Sequence, residues 1–80
     1  MTAYHVTTQK KMERYRTSGC ILPPVRFWPN EETARRWMKR TGRDVLVTFS
    51  LEGLTHHPLP DHRPARFTDE IIRDYQEARQ

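Results

Sequence analysis

Two polar side chains near the start of the chain, His5 and Thr7, have a spacing that suits ligand binding. Residues 3–7 alternate in type with a period of two, which predicts a half-buried β-strand. Such a strand places both side chains on the face opposite Tyr4 and Val6. An imidazole and a hydroxyl one pleat apart can together hydrogen-bond a hydroxyl or amide of a ligand, and a strand holds them rigidly. The alternative is that His5 is a structural hydrogen-bonding residue.

A second group of candidate side chains comprises His56, His57 and His62, which lie close to Asp61. Imidazoles and carboxylates are zinc ligands, so a metal site is one interpretation of the group. However, adjacent histidines on a strand point to opposite faces, and the sequence holds no cysteine pair to complete a structural zinc site. We therefore expect no metal centre, and we predict an exposed proline-rich loop in which these histidines are ordinary polar residues.

The aromatic residues Phe27 and Trp28 end a second short segment of β type. Because neighbouring side chains on a strand point to opposite faces, one ring is expected in the core and the other in solvent or a cleft. An exposed Trp28 beside Arg26 can stack on a base or on a nicotinamide ring. The alternative is that Trp28 packs against Trp37 in the core.

Positive charge is concentrated in the first part of the chain. Residues 1–50 contain ten Lys or Arg and four Asp or Glu, whereas residues 51–80 contain four and six. A basic region attracts phosphates, nucleic acid or an acidic protein through long-range electrostatic steering. The alternative is a solvated surface that keeps a small protein in solution. The candidate residues for a basic surface are Lys10, Lys11, Arg14, Arg16, Arg35, Arg36, Lys39 and Arg40.

Length and composition restrict the class of protein. The 80 residues predict one small domain over residues 1–80, and 35% of them are hydrophobic, enough for one compact core. The lone cysteine, Cys20, cannot form an internal disulfide, and we expect it to be a small buried residue rather than a nucleophile. No apolar run approaches the roughly 20 residues that span a bilayer, so we predict a cytoplasmic protein with no membrane partner.

The elements that must position these side chains begin with a helix directly after the first strand. Thr7 or Thr8 can cap this helix, and it is predicted to end near Thr17. Gly19 follows at the place where a helix C-terminus commonly takes the left-handed conformation. A short strand is predicted at residues 25–28, after two prolines that exclude a central strand at their own positions.

A second helix, a longer strand and a last helix complete the prediction. Asn30 can cap the second helix and Gly42 can end it. Residues 44–51 have the pattern of a central strand covered on both faces, and residues 52–66 are predicted to be an irregular loop rich in proline and histidine. Thr68 is predicted to cap the last helix. The order β-α-β-α-β-loop-α predicts an α+β domain with a small three-stranded or larger mixed sheet and two to three short helices.

The motifs of roughly the first 50 residues resemble those of the ADP-ribosyltransferase-like superfamily. Residues 4–7 read Tyr-His-Val-Thr and precede a helix that ends at Gly19. Residues 25–28 end in an aromatic pair, before Asn-Glu-Glu-Thr-Ala at residues 30–34. In that superfamily a first strand carries a histidine, often within Tyr-His-x-Thr, and a second strand carries an aromatic residue before a helix of the Glu-Glu-x-Ala type.

This resemblance implies a site for NAD. By it, His5 would contact the NAD ribose with support from Thr7. Phe27 or Trp28 would take the place of the tyrosine that stacks on nicotinamide. Catalysis would also need a carboxylate from the later part of the chain. The candidate catalytic residues are therefore His5 and Glu70. A working transferase and a non-catalytic relative are both consistent with the motifs, so the sequence does not decide whether the protein is an enzyme.

Three functions from different classes follow from these patterns. A domain that binds NAD or a related nucleotide would use His5, Thr7 and Trp28. A module that binds nucleic acid or an acidic protein would use the basic residues of the two early helices. A protein-protein interaction domain would pair through an uncovered sheet edge or the last helix, and a homodimer is one form of this pairing.

Overall fold

A computed structural model of the chain describes residues 1–78. It contains two α-helices and two three-stranded antiparallel sheets, which confirms the α+β class predicted from the sequence. Neither helix in this part of the chain combines the length and the hydropathy needed to cross a membrane. In chain order the elements are β1 (Thr2–Thr7), α1 (Gln9–Ser18), β2 (Val25–Phe27), α2 (Glu31–Thr41), β3 (Val45–Ser50), β4 (His57–Pro58), β5 (Arg66–Thr68) and β6 (Gln76–Ala78).

The first sheet has the strand order β1-β3-β6, so β3 lies at its centre. β1 pairs with β3 along its whole length, and β6 pairs with the opposite edge of β3. Alternate residues of β3 enter two different cores, with Leu46 on one face and Val47 and Phe49 on the other. The predicted central strand, covered on both faces, is thereby confirmed.

The second sheet has the order β2-β5-β4 and is joined to β1 by an isolated bridge. The Tyr4 N–H donates to the Trp28 carbonyl at 2.9 Å, and the Trp28 N–H donates to the Tyr4 carbonyl at 2.8 Å. The strand predicted at residues 25–28 is therefore a strand of three residues followed by this bridge. Through the bridge, β1 takes part in the backbone hydrogen bonding of both sheets.

The two faces of the first sheet carry separate apolar cores. α1 contributes Met12 to the core that contains Val47. α2 contributes Ala34 and Met38 to the core that contains Leu46. Because neighbouring residues of β3 point to opposite faces of the sheet, the two helices lie on opposite sides of it.

Both helices begin and end where the sequence predicts. The side chains of Thr8 and Asn30 each accept a hydrogen bond from a backbone N–H in the first helical turn, at 3.3 and 3.1 Å. These bonds satisfy N–H groups that a helix start otherwise leaves unpaired. The chain leaves the helices at Gly19 and Gly42, whose φ angles of 77° and 72° belong to the left-handed region that glycine adopts at least cost.

The predicted last helix is wrong. Thr68 ends β5 instead of capping a helix, and its hydroxyl donates to the Thr55 carbonyl at 2.7 Å. Ile72 forms an isolated bridge with Ile21, and Gln76–Ala78 pair with β3. This pairing satisfies backbone groups along an otherwise open strand edge, which outweighs the weak intrinsic helix preference of the segment. An interaction through a last helix is excluded with it.

The predicted loop at residues 52–66 contains regular structure. β4 lies within it and pairs with β5, which itself begins at Arg66. Between these two strands the chain turns back sharply, with the Leu59 N–H donating to the Ala65 carbonyl at 3.2 Å. β4 is an edge strand, a position that tolerates Pro58 because proline has no N–H to donate.

Candidate functional site

His5 and Thr7 lie together on the wall of a cavity of about 710 Å³, which we call the basic cavity. β1 and α1 form one side of it, and the second sheet with its loops forms the other. The polar wall consists of His5, Thr7 and Tyr15, and four cationic side chains surround it. The cationic residues are Lys11, Arg14, Arg26 and Arg43.

The pleat of β1 and the immediate start of α1 place these side chains. Ala3, His5 and Thr7 share one face of the strand, and Ala3 is fully buried in the core beneath α1. Because α1 starts one residue after its Thr8 cap, its first turns cross the same face. Tyr15 on the inner side of the helix therefore reaches His5 on the strand.

His5 is held as a neutral imidazole of defined tautomer. Its Nδ1 lies 2.6 Å from the Arg26 carbonyl oxygen, which can only accept, so Nδ1 carries the proton. Its Nε2 then accepts from the Tyr15 hydroxyl at 3.0 Å. Burial lowers the pKa of His5, and the positive charges of Lys11, Arg43 and Arg26 act in the same direction against the opposing effect of the backbone hydrogen bond.

Tyr15 connects His5 to the end of the chain. Besides the bond from its hydroxyl to His5, its backbone carbonyl accepts from the Tyr75 hydroxyl at 2.7 Å. The Tyr15 and Tyr75 rings meet edge to face with centroids 6.4 Å apart. Sequence analysis did not single out Tyr15. Nothing in the local sequence pattern linked it to His5.

Thr7 is almost completely buried, at 2% exposure, and its hydroxyl has no hydrogen-bond partner within residues 1–78. The other buried threonine, Thr68, differs: its hydroxyl donates to the Thr55 carbonyl and accepts from the Glu70 N–H. A buried hydroxyl without a partner costs free energy. Within the described chain, nothing compensates that cost at Thr7.

The four cations of the basic cavity have no carboxylate partner in the described part of the chain. The salt bridges of residues 1–78 lie elsewhere, between Arg16 and Glu77, Arg35 and Glu31, and Arg36 and Glu32. No Asp or Glu of these residues lines the cavity. The sequence analysis included Lys11 and Arg14 among basic surface residues but not Arg26 and Arg43, which come from a strand and from the residue after a helix cap.

The predicted basic surface is divided between two sides of the molecule. Lys10 and Arg14 are exposed on α1, whereas Lys39 and Arg40 are exposed on α2, and the two helices lie on opposite sides of the first sheet. On α2, Arg35 and Arg36 are paired with glutamates of the same helix, and on α1, Arg16 is paired with Glu77 of β6. The eight predicted residues therefore do not form one continuous surface.

The interpretation of Trp28 as an exposed stacking ring is wrong. Its exposure is 1%, its ring centroid lies 5.8 Å from that of Trp37, and its indole N–H donates to His62 Nε2 at 3.3 Å. Phe27 is buried as well, in the other core. Both rings of the aromatic pair are used in packing because strands β1 and β3 provide two cores. Trp28 borders the basic cavity with no ring face free.

The histidines of residues 56–62 have separate partners. His56 Nδ1 accepts from Arg66 Nε at 2.6 Å, and the ring of His57 packs against Phe67 at 5.4 Å. Desolvation lowers the pKa of His56, and the electrostatic effects of Arg66 and His57 lower it further. Among residues 1–78, no three His, Cys, Asp or Glu side chains are grouped so that they could hold a metal ion.

The predicted catalytic carboxylate does not reach the basic cavity. Glu70 lies in the loop after β5, where its side chain accepts from the Thr55 N–H at 2.5 Å. Glu77 lies on β6 opposite Val47, which in turn lies opposite His5, so these side chains share one face of the sheet. Arg16 binds the Glu77 carboxylate at 2.6 Å, however, and Glu77 does not line the cavity.

Apolar side chains form the remaining wall of the basic cavity. Leu22 is 65% exposed there, and Leu59 and Phe67 are half-buried. Cys20 lines the cavity as well and is half-buried rather than buried as predicted. The cavity thus offers cationic, hydrogen-bonding and apolar groups on different sides.

Comparison of the chain with protein-family models, with curated proteins and with solved structures found no match. The geometry of the basic cavity is therefore the basis on which a function can be inferred. Its lining combines four cations with hydrogen-bonding and apolar groups.

Proposed function

We propose that the basic cavity binds NAD or a related nucleotide. The observation that supports this most strongly is the set of four cations around His5 and Thr7, with no carboxylate among the lining residues in the described part of the chain, residues 1–78. Clustered cations without acidic partners repel one another, and a ligand with phosphate groups relieves that repulsion through charge-assisted hydrogen bonds. The resemblance of residues 4–7 and 30–34 to the ADP-ribosyltransferase-like superfamily implies the same class of ligand.

The other walls of the cavity suit the other parts of a nucleotide. The cavity volume of about 710 Å³ lies within the usual range of sites for small molecules. Ribose hydroxyls can bond with the hydroxyl of Tyr15. A ribose hydroxyl reaches His5 Nε2 only by displacing Tyr15, because the Tyr15 hydroxyl occupies that lone pair.

The proposed function is the binding of a nucleotide and does not include the transfer of ADP-ribose. Departure of nicotinamide would be assisted by a carboxylate that polarises a ribose hydroxyl, and no Asp or Glu of residues 1–78 lines the cavity. Glu70 and Glu77 are engaged with Thr55 and Arg16. The cations of the cavity hold the phosphates in either case.

Two-dimensional NMR of the labelled protein, titrated with NAD to millimolar concentration, tests this function. We expect saturable shifts at His5, Thr7 and Tyr15, together with the side-chain signal of Arg43. Adenosine, which is AMP without its phosphate, is the matched control and should bind at least tenfold more weakly than AMP, since each charged hydrogen bond is worth about 1.5–3 kcal/mol. Unchanged spectra with NAD and with AMP would exclude nucleotide binding.

A short single-stranded oligonucleotide distinguishes the function based on nucleic acid. An oligonucleotide that lies along α1 would shift Lys10 and Arg16, which do not line the cavity, more than His5 and Thr7, with an affinity that falls steeply as salt is added. A mononucleotide held in the cavity makes fewer phosphate contacts and has a shallower salt dependence. Stronger shifts along α1 than in the cavity would favour the nucleic-acid module over the nucleotide site.

A further inference from the structure

Phe67 is a large aromatic residue that belongs to neither core. The side chains of Phe27 and Trp28 are buried in the two cores, whereas Phe67 is half-buried and packs into neither of them. It lines the basic cavity from β5, and sequence analysis gave it no role. An apolar ring left outside the cores at a cavity wall is available to contact a ligand.

The register of the second sheet places Phe67 between Arg26 and His57. Arg26 lies opposite Phe67 across β2 and β5, and His57 lies opposite it across β4 and β5. Directly opposite residues in antiparallel strands have side chains on the same face, with Cβ atoms about 5 Å apart. We call this row of three residues the outer stripe. Its face is the outer one, because Val25 and Thr68, the neighbouring pair, are fully buried.

The two neighbours give Phe67 a defined orientation and a cation. The rings of Phe67 and His57 lie 5.4 Å apart at 44°, so His57 supports the phenyl ring from one side. Arg26 on the other side is exposed and has no carboxylate partner in residues 1–78. Its guanidinium can lie parallel to a planar ring or bond with a phosphate.

We propose that the planar base of a nucleotide in the basic cavity stacks on Phe67, with the Arg26 guanidinium beside it, an inference that rests on the proposed function. The phosphates lie toward Lys11, Arg14 and Arg43, and the base lies on the outer stripe. Discrimination between ligands with and without a base thus depends on Phe67.

The test compares two variants and two ligands. Phe67→Leu removes the aromatic face and keeps an apolar side chain, whereas Phe67→Tyr keeps the ring. AMP carries a base, and ribose 5-phosphate carries none. We expect Phe67→Leu to weaken AMP binding about tenfold, the usual effect of losing one base-aromatic stack, with ribose 5-phosphate changed less than twofold. Phe67→Tyr should bind AMP within threefold of the original protein.

A measurement on the unaltered protein makes the test independent of variant folding. Stacked adenine protons shift upfield in the ring current of Phe67 and give nuclear Overhauser effects to its ring protons. AMP binding without these signals, or with equal affinity in Phe67→Leu, would overturn the role of Phe67 and leave nucleotide binding intact. No binding of AMP or NAD to the unaltered protein would instead remove the proposed function, and the stacking with it.

Discussion

The basic cavity and the outer surface of α2 are both rich in positive charge, but among the described residues only α2 pairs part of that charge with carboxylates. On α2, Arg35 and Arg36 bind the carboxylates of Glu31 and Glu32 one helical turn away, at 2.8 and 2.6 Å. Around the cavity, no carboxylate within residues 1–78 pairs with the four lining cations. Arginine side chains therefore form salt bridges within their own helix on α2, whereas at the cavity they have no carboxylate partner among residues 1–78.

Hydroxyl groups show the same difference between regions. Thr68, at the end of β5, is fully buried and bonds with the Thr55 carbonyl and the Glu70 N–H. Thr7, at the cavity, is equally buried and has no partner within residues 1–78. Polar groups in folded proteins are normally satisfied, and exceptions concentrate at functional sites. Among the described residues one other buried polar group lacks a partner, the Trp37 indole N–H in the core beneath α2, so of the two buried threonines it is the one at the cavity whose hydroxyl is left unsatisfied.

Removing charge from the two regions should have the largest and most unequal effect. We expect the double variant Lys11→Gln with Arg14→Gln to lower NAD affinity about 100-fold, because two charged hydrogen bonds of about 1.5 kcal/mol each are lost. The matched variant Arg35→Gln with Arg36→Gln should change NAD affinity less than about twofold, since those side chains are paired and distant. Isothermal titration calorimetry at fixed salt measures both. Equal losses would mean that net charge, rather than the cavity, attracts the ligand.

Valine in place of each buried threonine should move stability in opposite directions. Thr68→Val leaves the Thr55 carbonyl and the Glu70 N–H without their partner, so we expect the free energy of unfolding to fall by about 2 kcal/mol. Thr7→Val removes an unsatisfied hydroxyl and should raise the free energy of unfolding by up to about 1 kcal/mol. Guanidinium chloride unfolding provides the measurement. Destabilisation by Thr7→Val similar to that by Thr68→Val would show that Thr7 has a structural partner.

Two histidines, one of them at the basic cavity, should make the stability of the protein depend on pH. Because the pKa of His5 is lowered by folding, the unfolded chain binds more protons near pH 6, and stability should decrease as the pH falls below about 6.5. His56, whose pKa is also lowered, acts in the same direction. The free energy of unfolding, measured at several pH values between 7.5 and 5.5, should depend less on pH in His5→Asn and in His56→Asn, and least in the double variant. A double variant whose free energy of unfolding falls as steeply with acid as that of the original protein would show that these two histidines are not the cause.

The smallest effect is expected where charge is already paired and exposed. Glu32→Gln breaks the Arg36 pair, in which both side chains are about three-quarters exposed, and it should alter the free energy of unfolding by less than about 0.5 kcal/mol. Thermal unfolding at low and high salt measures the change. A loss above about 1 kcal/mol would show that this exposed ion pair contributes strongly to stability, and would contradict the low value expected of paired, exposed charge on α2.

The sequence predicts the parts of the fold that depend on neighbouring residues. The caps at Thr8 and Asn30 and the ends at Gly19 and Gly42 follow from local hydrogen bonding and backbone geometry, and they are confirmed. The prediction of a helix after Thr68 is wrong because the local sequence there resembles a helix cap followed by an apolar stripe. In the structure this segment instead adds strand β6 to β3, which lies about 30 residues earlier in sequence. No local pattern encodes that pairing.

The candidate site divides in the same way. His5 and Thr7 are found by the alternation of β1 alone, and the cavity contains both. Phe67 and Arg43 enter the cavity through the pairing of β5 with β2 and through the turn after α2, so their roles depend on contacts distant in sequence. For Trp28 the sequence left two placements open, and packing against Trp37 is the one confirmed. The period of a strand shows that two rings point apart but not that both faces are covered.

The bridge between Tyr4 and Trp28 gives the site a measurable opening rate. One wall of the basic cavity belongs to β1 and the other to the second sheet, and the two reciprocal backbone bonds of the bridge join these walls. Separation of the walls therefore releases the amide protons of Tyr4 and Trp28 together. Once each rate is divided by the intrinsic rate of its amide, the two amides should show the same protection against hydrogen exchange, and a ligand that spans the cavity should slow both by the same factor. Exchange at these two amides thus reports how often the site opens.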